Sequence, residues 1–200
     1  MSKFYEEKDV YQARNVLLDV LEERGFDVAD YNHYDLLQVK AMIDANQLDL
    51  LLRDTKGKKI FVKFSLDSKP VAANLADDFF NDILTRSDDL LVVAKDDPND
   101  TMTESLEQLW ATQGIFITVI SLKRLQYNIL KHDMVPKHVV MTKEETEEVL
   151  VKYKATTAQL PEISRFDPVA TLLGIRPGMA CRIERGSRTA MTATHYRLCV

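Results

Sequence analysis

Apolar residues recur every three or four positions between residues 7 and 24, at Val10, Ala13, Val16, Leu17, Val20 and Leu21, with Gly25 just beyond. That spacing predicts a helix with one buried stripe and a glycine stop. A weaker repeat of the same kind predicts a second helix over 34–45. The period then shortens to two: LDLLLRD (48–54) and KIFVKFSL (59–66) flank Lys56-Gly57 and predict a β-hairpin. Further on, 74–86 predicts a helix, 90–95 a buried strand, 103–114 a helix ended by Gly114, and 115–121 another buried strand. Strands separated by helices of this length need crossover connections, so residues 1–131 are expected to form an α/β unit with a mixed, partly parallel sheet covered by helices.

The pattern changes at Val135-Pro136, because a residue before proline is pushed out of the helical region. Residues 132–200 are therefore expected to be a separate, smaller α+β domain. Thr142 and Glu145 make a capping box ahead of apolar Val149, Leu150 and Tyr153, which predicts a helix over 143–152. Leu160-Pro161 ends the turn that follows. Asp167 is placed to cap a short helix with Pro168 at its first position and Gly174 after its end. Arg176-Pro177-Gly178 predicts a turn with positive φ at the glycine. MACRIER and TATHYRLCV alternate polar and apolar side chains as a half-buried antiparallel ribbon.

Composition narrows the class. The 200 residues are 46% hydrophobic and 28% charged, with 6 Gly and 6 Pro, the profile of a folded globular protein. The opening MSKFYEEKDV is acidic where a targeting peptide is basic and then apolar, and no run approaches the roughly 20 apolar residues of a membrane span, so an intracellular location is expected. Cys181 and Cys199 lack CxxC spacing and are expected to be buried thiols. Residues 1–131 carry 16 Lys and Arg against 23 Asp and Glu, a balance of −7, while residues 132–200 carry 10 against 8, a balance of +2. Broad coating of nucleic acid needs many cations, so any DNA contact is expected to be local or shared with a more basic partner.

One catalytic pattern stands out. Asp49 on one strand and Lys63 on the next have the layout of nucleases that hold Mg²⁺ with an Asp and an acid-x-Lys triplet. The triplet here is Phe61-Val62-Lys63, so the second carboxylate is missing and a poor Mg²⁺ site is expected. His132, His138 and His195 do not match the spacing of a zinc site and read as structural. No catalytic residue, metal or cofactor is expected. Arg165, Arg176, Arg182, Arg185 and Arg197 lie within a compact helix-turn-strand frame and together predict a recognition surface for partner carboxylates.

The motifs HDMVPKH (132–138), QLP (159–161), DPVA (167–170), LGIRPG (173–178) and the closing YRLCV carry a strong resemblance in one ungapped register. They resemble the small subunit shared by the nuclear DNA-dependent RNA polymerases I, II and III, whose C-terminal part is similar to a small archaeal RNA polymerase subunit that lacks the N-terminal part. The resemblance implies a non-catalytic subunit, with residues 132–200 as an assembly domain anchored on the largest polymerase subunit. It implies partner contacts at Pro136, His138, Leu160, Pro161, Asp167, Pro168, Arg176, Arg182, Arg185 and Arg197, the Pro, His, Leu and Asp positions shaping the domain. For residues 1–131 it implies a jaw domain beside downstream duplex DNA, with a restriction-endonuclease-like fold lacking its active site, which accounts for Phe61 beside Lys63. Thr101, Thr103 and Ser105 correspond to a Thr/Ser turn at a helix N-terminus near DNA, although Asp96, Asp97 and Asp100 would repel phosphate. A nuclear location is implied, or a viral particle or cytoplasmic viral factory for a viral member. Where the family usually reads S-E-T-A-G or S-E-T-S-G, this chain has Arg185-Gly186-Ser187-Arg188-Thr189-Ala190-Met191, which reverses the charge of that turn. Two other readings remain beside this one: a metal-dependent nuclease using Asp49 and Lys63, and a free-standing DNA-binding module.

Overall fold

The computed structural model describes residues 7–55, 57–66, 70–80, 83–187 and 191–200. Lys56 of the first hairpin turn, part of the helix expected over 74–86, and Arg188-Thr189-Ala190 of the second hairpin lie outside the described residues. The chain divides into two compact units, Met1–Asn128 and Ile129–Val200.

In the first unit, helix α1 (Glu7–Glu23) buries Val10, Ala13, Val16, Leu17, Val20 and Leu21. Gly25 (φ 93°) turns the chain away from it. The stripe also contains Arg14, which is fully buried with its guanidinium 5.1 Å from the Tyr34 ring centre, a cation–π contact. Asp35 and Gln38 form a capping box that starts α2 (Leu36–Asp44). Strands β1 (Leu50–Arg53) and β2 (Lys59–Ser65) pair antiparallel; β3 (Asp89–Ala94) then adds parallel to β2, and β4 (Ile117–Ser121) parallel to β3. The sheet order is β1-β2-β3-β4. The two parallel steps are crossovers carrying α3 (Ala72–Phe80) and α4 (Asp100–Gln113), and both β3 and β4 are buried along their whole length, as a sheet covered on both faces requires. The fold is thus a mixed α/β unit.

Two boundaries moved for local reasons. No helix continues through 83–86, because the Asp88 carboxylate takes the Thr85 N–H (2.8 Å) and hydroxyl (2.7 Å) into a turn. Conversely, α4 begins three residues before the expected 103, because Asn99 caps it by accepting the Met102 N–H at 3.0 Å.

The second unit is a four-stranded sheet of order β5-β7-β8-β6, made of β5 (Lys137–Val140), β6 (Glu162–Ile163), β7 (Ala180–Ser187) and β8 (Met191–Cys199). All pairs are antiparallel except β6 with β8. Helix α6 (Pro168–Leu173) runs from the Asp167 cap to Gly174 (φ 65°), and its Ala170 packs with Ile163, Ile175, Cys181, Ile183 and Cys199 as the core. Burial pushes the Cys199 thiol up to about 11 and raises Cys181 as well, so both are protonated packing groups at neutral pH. Strand β6, two residues long, is too short to show a period, and no sequence signal marks it. Helix α5 (Lys143–Tyr153) has its capping box but buries no residue: Val149 and Leu150 are half-buried and Tyr153 is exposed, its ring centre 5.9 Å from that of Tyr196 in a tilted pair.

The first unit is tied at the start of β3 by adjacent buried carboxylates. Asp89 Oδ2 accepts from Arg24 Nη2 (3.0 Å) and Lys58 Nζ (2.7 Å), while Asp88 accepts from the Lys59 and Thr85 backbone N–H groups. Desolvation works to raise the Asp88 carboxyl, but these donors prevail and hold it below the ordinary carboxylate range. Its stabilisation is therefore present above the unfolded-state value near pH 4 and lost as pH falls through the lower folded one. Asp88→Ala is expected to lower the unfolding free energy of the first unit by about 2 kcal/mol and to flatten its loss of stability below about pH 4. Thermal unfolding followed by circular dichroism across pH 2–7 checks both.

Candidate partner-docking groove

Side-chain direction alternates along β7 and β8, so the pairing register decides which residues share a face. Opposite partners are Cys181 and Arg197, Ile183 and His195, and Arg185 and Ala193; β5 adds His138 opposite Ile183. One face of the sheet thus carries the core residues Cys181, Ile183 and Cys199 and, directly beside or beyond them, Arg197, His195, His138 and Arg185. These four border a groove of about 540 Å³ whose walls include Pro136, Pro161 and Asp167. Six of the ten residues implied as partner contacts meet here: Pro136, His138, Pro161, Asp167, Arg185 and Arg197.

Local chemistry holds the walls. His138 Nδ1 lies 2.7 Å from the Pro136 carbonyl; the carbonyl can only accept, so Nδ1 carries the proton and the ring is fixed with Nε2 left for other contacts. Asp167 Oδ1 accepts from the Val169 (2.9 Å) and Ala170 (3.3 Å) N–H groups, so its charge is engaged at the α6 N-terminus. Arg197 Nη1 donates to the Glu162 carbonyl at 2.8 Å, which pins Arg197 to β6. Arg185 is exposed, and Met134 stands at the rim 84% exposed. The groove is a cationic, partly apolar concavity, suited to an acidic polypeptide segment.

The remaining predicted residues lie elsewhere. Arg182 is on the opposite face of β7, where its guanidinium sits 3.3 Å from the Glu184 carboxylate. Pro168 is half-buried at the first position of α6, Arg176 is half-buried in the turn after it, and Leu160 is half-buried before β6. Arg165 corrects the expectation of a single arginine surface: it is 5% exposed, stacked on the Phe166 ring at 5.2 Å. The five arginines therefore do not present one interface, because the two-residue repeat of a strand sends Arg182 and Arg185 to opposite sides. Met134, Val169 and Tyr196 also line the groove although no sequence signal marks them; they come from the segment before β5, from α6 and from β8, and only the tertiary fold brings them together.

In the first unit, Thr101, Thr103 and Ser105 lie inside α4 rather than in a turn before it. The Thr103 hydroxyl donates to the Asp100 carbonyl and the Ser105 hydroxyl to the Thr101 carbonyl, each at 2.7 Å, and the Thr103 N–H is bonded to Asn99. Asp49 Oδ1 accepts the Phe64 N–H at 2.9 Å, which closes the end of the hairpin. Although the residue is exposed as a whole, desolvation of the carboxyl pushes Asp49 upward against the opposing Phe64 N–H and Lys63 charge. Among the described residues, no group of three or more His, Cys, Asp or Glu is placed to hold a metal ion. The purified chain is expected to leave duplex DNA uncut in Mg²⁺; cleavage abolished by Lys63→Ala on a gel assay would reverse that reading.

Comparison with known proteins bears on the same segment. The family model described as RNA polymerase Rpb5, C-terminal domain, matches residues 127–199. The Thermococcus celer protein named DNA-directed RNA polymerase subunit Rpo5 is 41% identical over 75 residues, 38% of this chain and 92% of that protein. The Caenorhabditis elegans protein named DNA-directed RNA polymerases I, II, and III subunit RPABC1 is 49% identical over 76 residues, so the match spans 38% of this chain and only 36% of the nematode protein. The Dictyostelium discoideum protein of the same name is 27% identical over 190 residues, 94% of this chain and 96% of that one.

Proposed function

The chain belongs to the RNA polymerase Rpb5 family, and from that premise we propose that it works as a non-catalytic subunit of a DNA-directed RNA polymerase, of the type shared by polymerases I, II and III and related to the archaeal Rpo5 proteins. Residues 132–200 serve as the assembly domain that anchors the chain on the largest subunit, and the cationic groove is the docking surface. The observation that supports this most is the convergence of Pro136, His138, Pro161, Asp167, Arg185 and Arg197 within the family-matched segment. Asp167 and Pro168 shape α6, Leu160 and Pro161 steer the chain into β6, and Arg185 meets partner carboxylates. Arg176 and Arg182 contribute at the margins, since the first is half-buried and the second faces Glu184.

Residues 1–131 act as a jaw beside downstream duplex DNA, with restriction-endonuclease-like architecture in which Phe61 stands where a carboxylate would be needed. The α4 N-terminus is the part of the jaw nearest DNA. Because the Thr103 and Ser105 hydroxyls are turned to their own helix and the preceding aspartates are anionic, that contact is weak outside the assembled enzyme. Nucleotide addition belongs to other subunits, and the complex operates in the nucleus.

Affinity purification of the tagged full-length chain from its native source, followed by mass spectrometry, tests the proposal. Large polymerase subunits should be recovered with the wild type. Arg185→Glu should reduce recovery about tenfold, as expected for reversing one charge in a desolvated contact, while Arg182→Glu on the opposite face should change it far less. A wild-type sample without polymerase subunits overturns the reading. The isolated chain should bind duplex DNA negligibly at physiological salt, measured by fluorescence anisotropy; tight, salt-sensitive binding would instead favour a free-standing DNA-binding module.

A further inference from the structure

Strand β8 is flanked unequally. On one side β7 accompanies it throughout, from Ala180 opposite Leu198 to Ser187 opposite Met191. On the other side β6 takes only Leu198 and Cys199. Among the described residues, no strand lies along residues 191–197 on that outer side. The gap is built into the chain: Pro161, just before β6, has no N–H to donate, and residues Thr157–Gln159 coil into a 3-10 turn that leads the backbone away.

The orientation of the free groups follows from the bonds that do form. The Leu198 N–H donates outward to the Pro161 carbonyl at 2.9 Å, and the Val200 N–H to the Ile163 carbonyl at 3.0 Å. Backbone direction in a strand alternates with every residue, so the N–H and C=O groups of Thr192, Thr194 and Tyr196 point to the same outer side. Natural sheets blunt an unused edge with lysine, proline or a bulge, because an open row of donors and acceptors invites a further strand. Residues 192–196, TATHY, contain neither lysine nor proline, and their β-branched and aromatic side chains favour pairing.

Side chains at this edge define what could pair with it. Ala193, His195 and Arg197 share the groove face, with Arg185 directly across from Ala193. The carboxylate bordering the groove, Asp167, is engaged at its helix N-terminus. We propose that the outer edge of β8, residues 192–196, receives an extended segment of a partner polypeptide bearing acidic side chains at alternate positions, which joins the sheet as a fifth strand. The backbone bonds supply the affinity, and the alternate carboxylates meet His195, Arg197 and Arg185. The identity of the complex rests on the docking reading above; the edge pairing is a separate claim about how docking is achieved.

Hydrogen–deuterium exchange with residue-resolved fragmentation, on the full-length tagged chain free and within the polymerase assembly it co-purifies with, tests the edge directly. The Thr192, Thr194 and Tyr196 amides should exchange readily in the free chain and at least about tenfold more slowly in the assembly, while His195 and Arg197, bonded to β7, are slow in both. Unchanged exchange at Thr192 and Thr194 in a recovered assembly overturns the proposal. Thr194→Pro removes an N–H that the fold itself does not use, as edge strands tolerate, and should recover about tenfold less polymerase with an unaltered thermal midpoint, whereas Thr194→Ala should match the wild type. Should the proline variant unfold, exchange on the unmodified chain decides. If Arg185→Glu loses polymerase and a folded Thr194→Pro does not, edge pairing is wrong and groove docking stands; a wild type that recovers no polymerase subunits overturns both.

Discussion

The pairing of β7 with β8 governs the second unit. Eight facing positions, from Ala180 and Leu198 to Ser187 and Met191, set the strand register, and β5 and β6 attach to the outer sides of that ribbon. A slip of one residue would move Cys181, Ile183 and Cys199 from the core to solvent and carry Arg185 and Arg197 away from the groove. Burial of Ile183 and Cys199 against α6 opposes any such slip, so the same hydrophobic contacts that stabilise the unit also aim its arginines. Core residues and groove residues are side-by-side positions of one sheet face.

Four carboxylates hold local structure in place, three through backbone N–H groups and one through side-chain cations. Asp88 gathers N–H groups from the start of β2 and from the turn before β3, Asp89 neutralises Arg24 and Lys58, Asp49 closes the first hairpin, and Asp167 caps α6. Each accepts donors that folding would otherwise leave unsatisfied, which is the costlier error in a buried setting. Buried Arg14 is the counter-case: its charge is met by the Tyr34 ring, and desolvation lowers its pKa against the opposing influence of Tyr34, Tyr11 and Tyr31. The four carboxylates thus help to hold the fold in shape.

Much of the architecture was legible in the sequence, and for identifiable reasons. Helix α1 announced itself because six apolar residues fall on one 3.6-residue stripe; α6 did so because Asp167, Pro168 and Gly174 are start and stop signals in their own right. Strand β6 gave no comparable signal, since two residues have no period. Helix α5 has the signature of an amphipathic helix, yet Val149 and Leu150 remain half-buried and Tyr153 exposed. The end of the helix expected over 74–86 depended on Asp88, whose hydrogen bonds to Thr85 cannot be read from hydrophobic spacing.

The sequence by itself determined most of the elements, the change of character near Val135-Pro136 and the family, because capping residues, glycine stops, prolines and short-range periodicity act over a few residues. Tertiary structure alone decided which of the predicted contacts meet. Pro136, His138, Pro161, Asp167, Arg185 and Arg197 come from five separate segments, and only the tertiary fold brings them to one groove while burying Arg165 and turning Arg182 to the opposite face. Register is settled by the burial of side chains distant in the chain, a free energy that belongs to the assembled sheet and to no local stretch of residues.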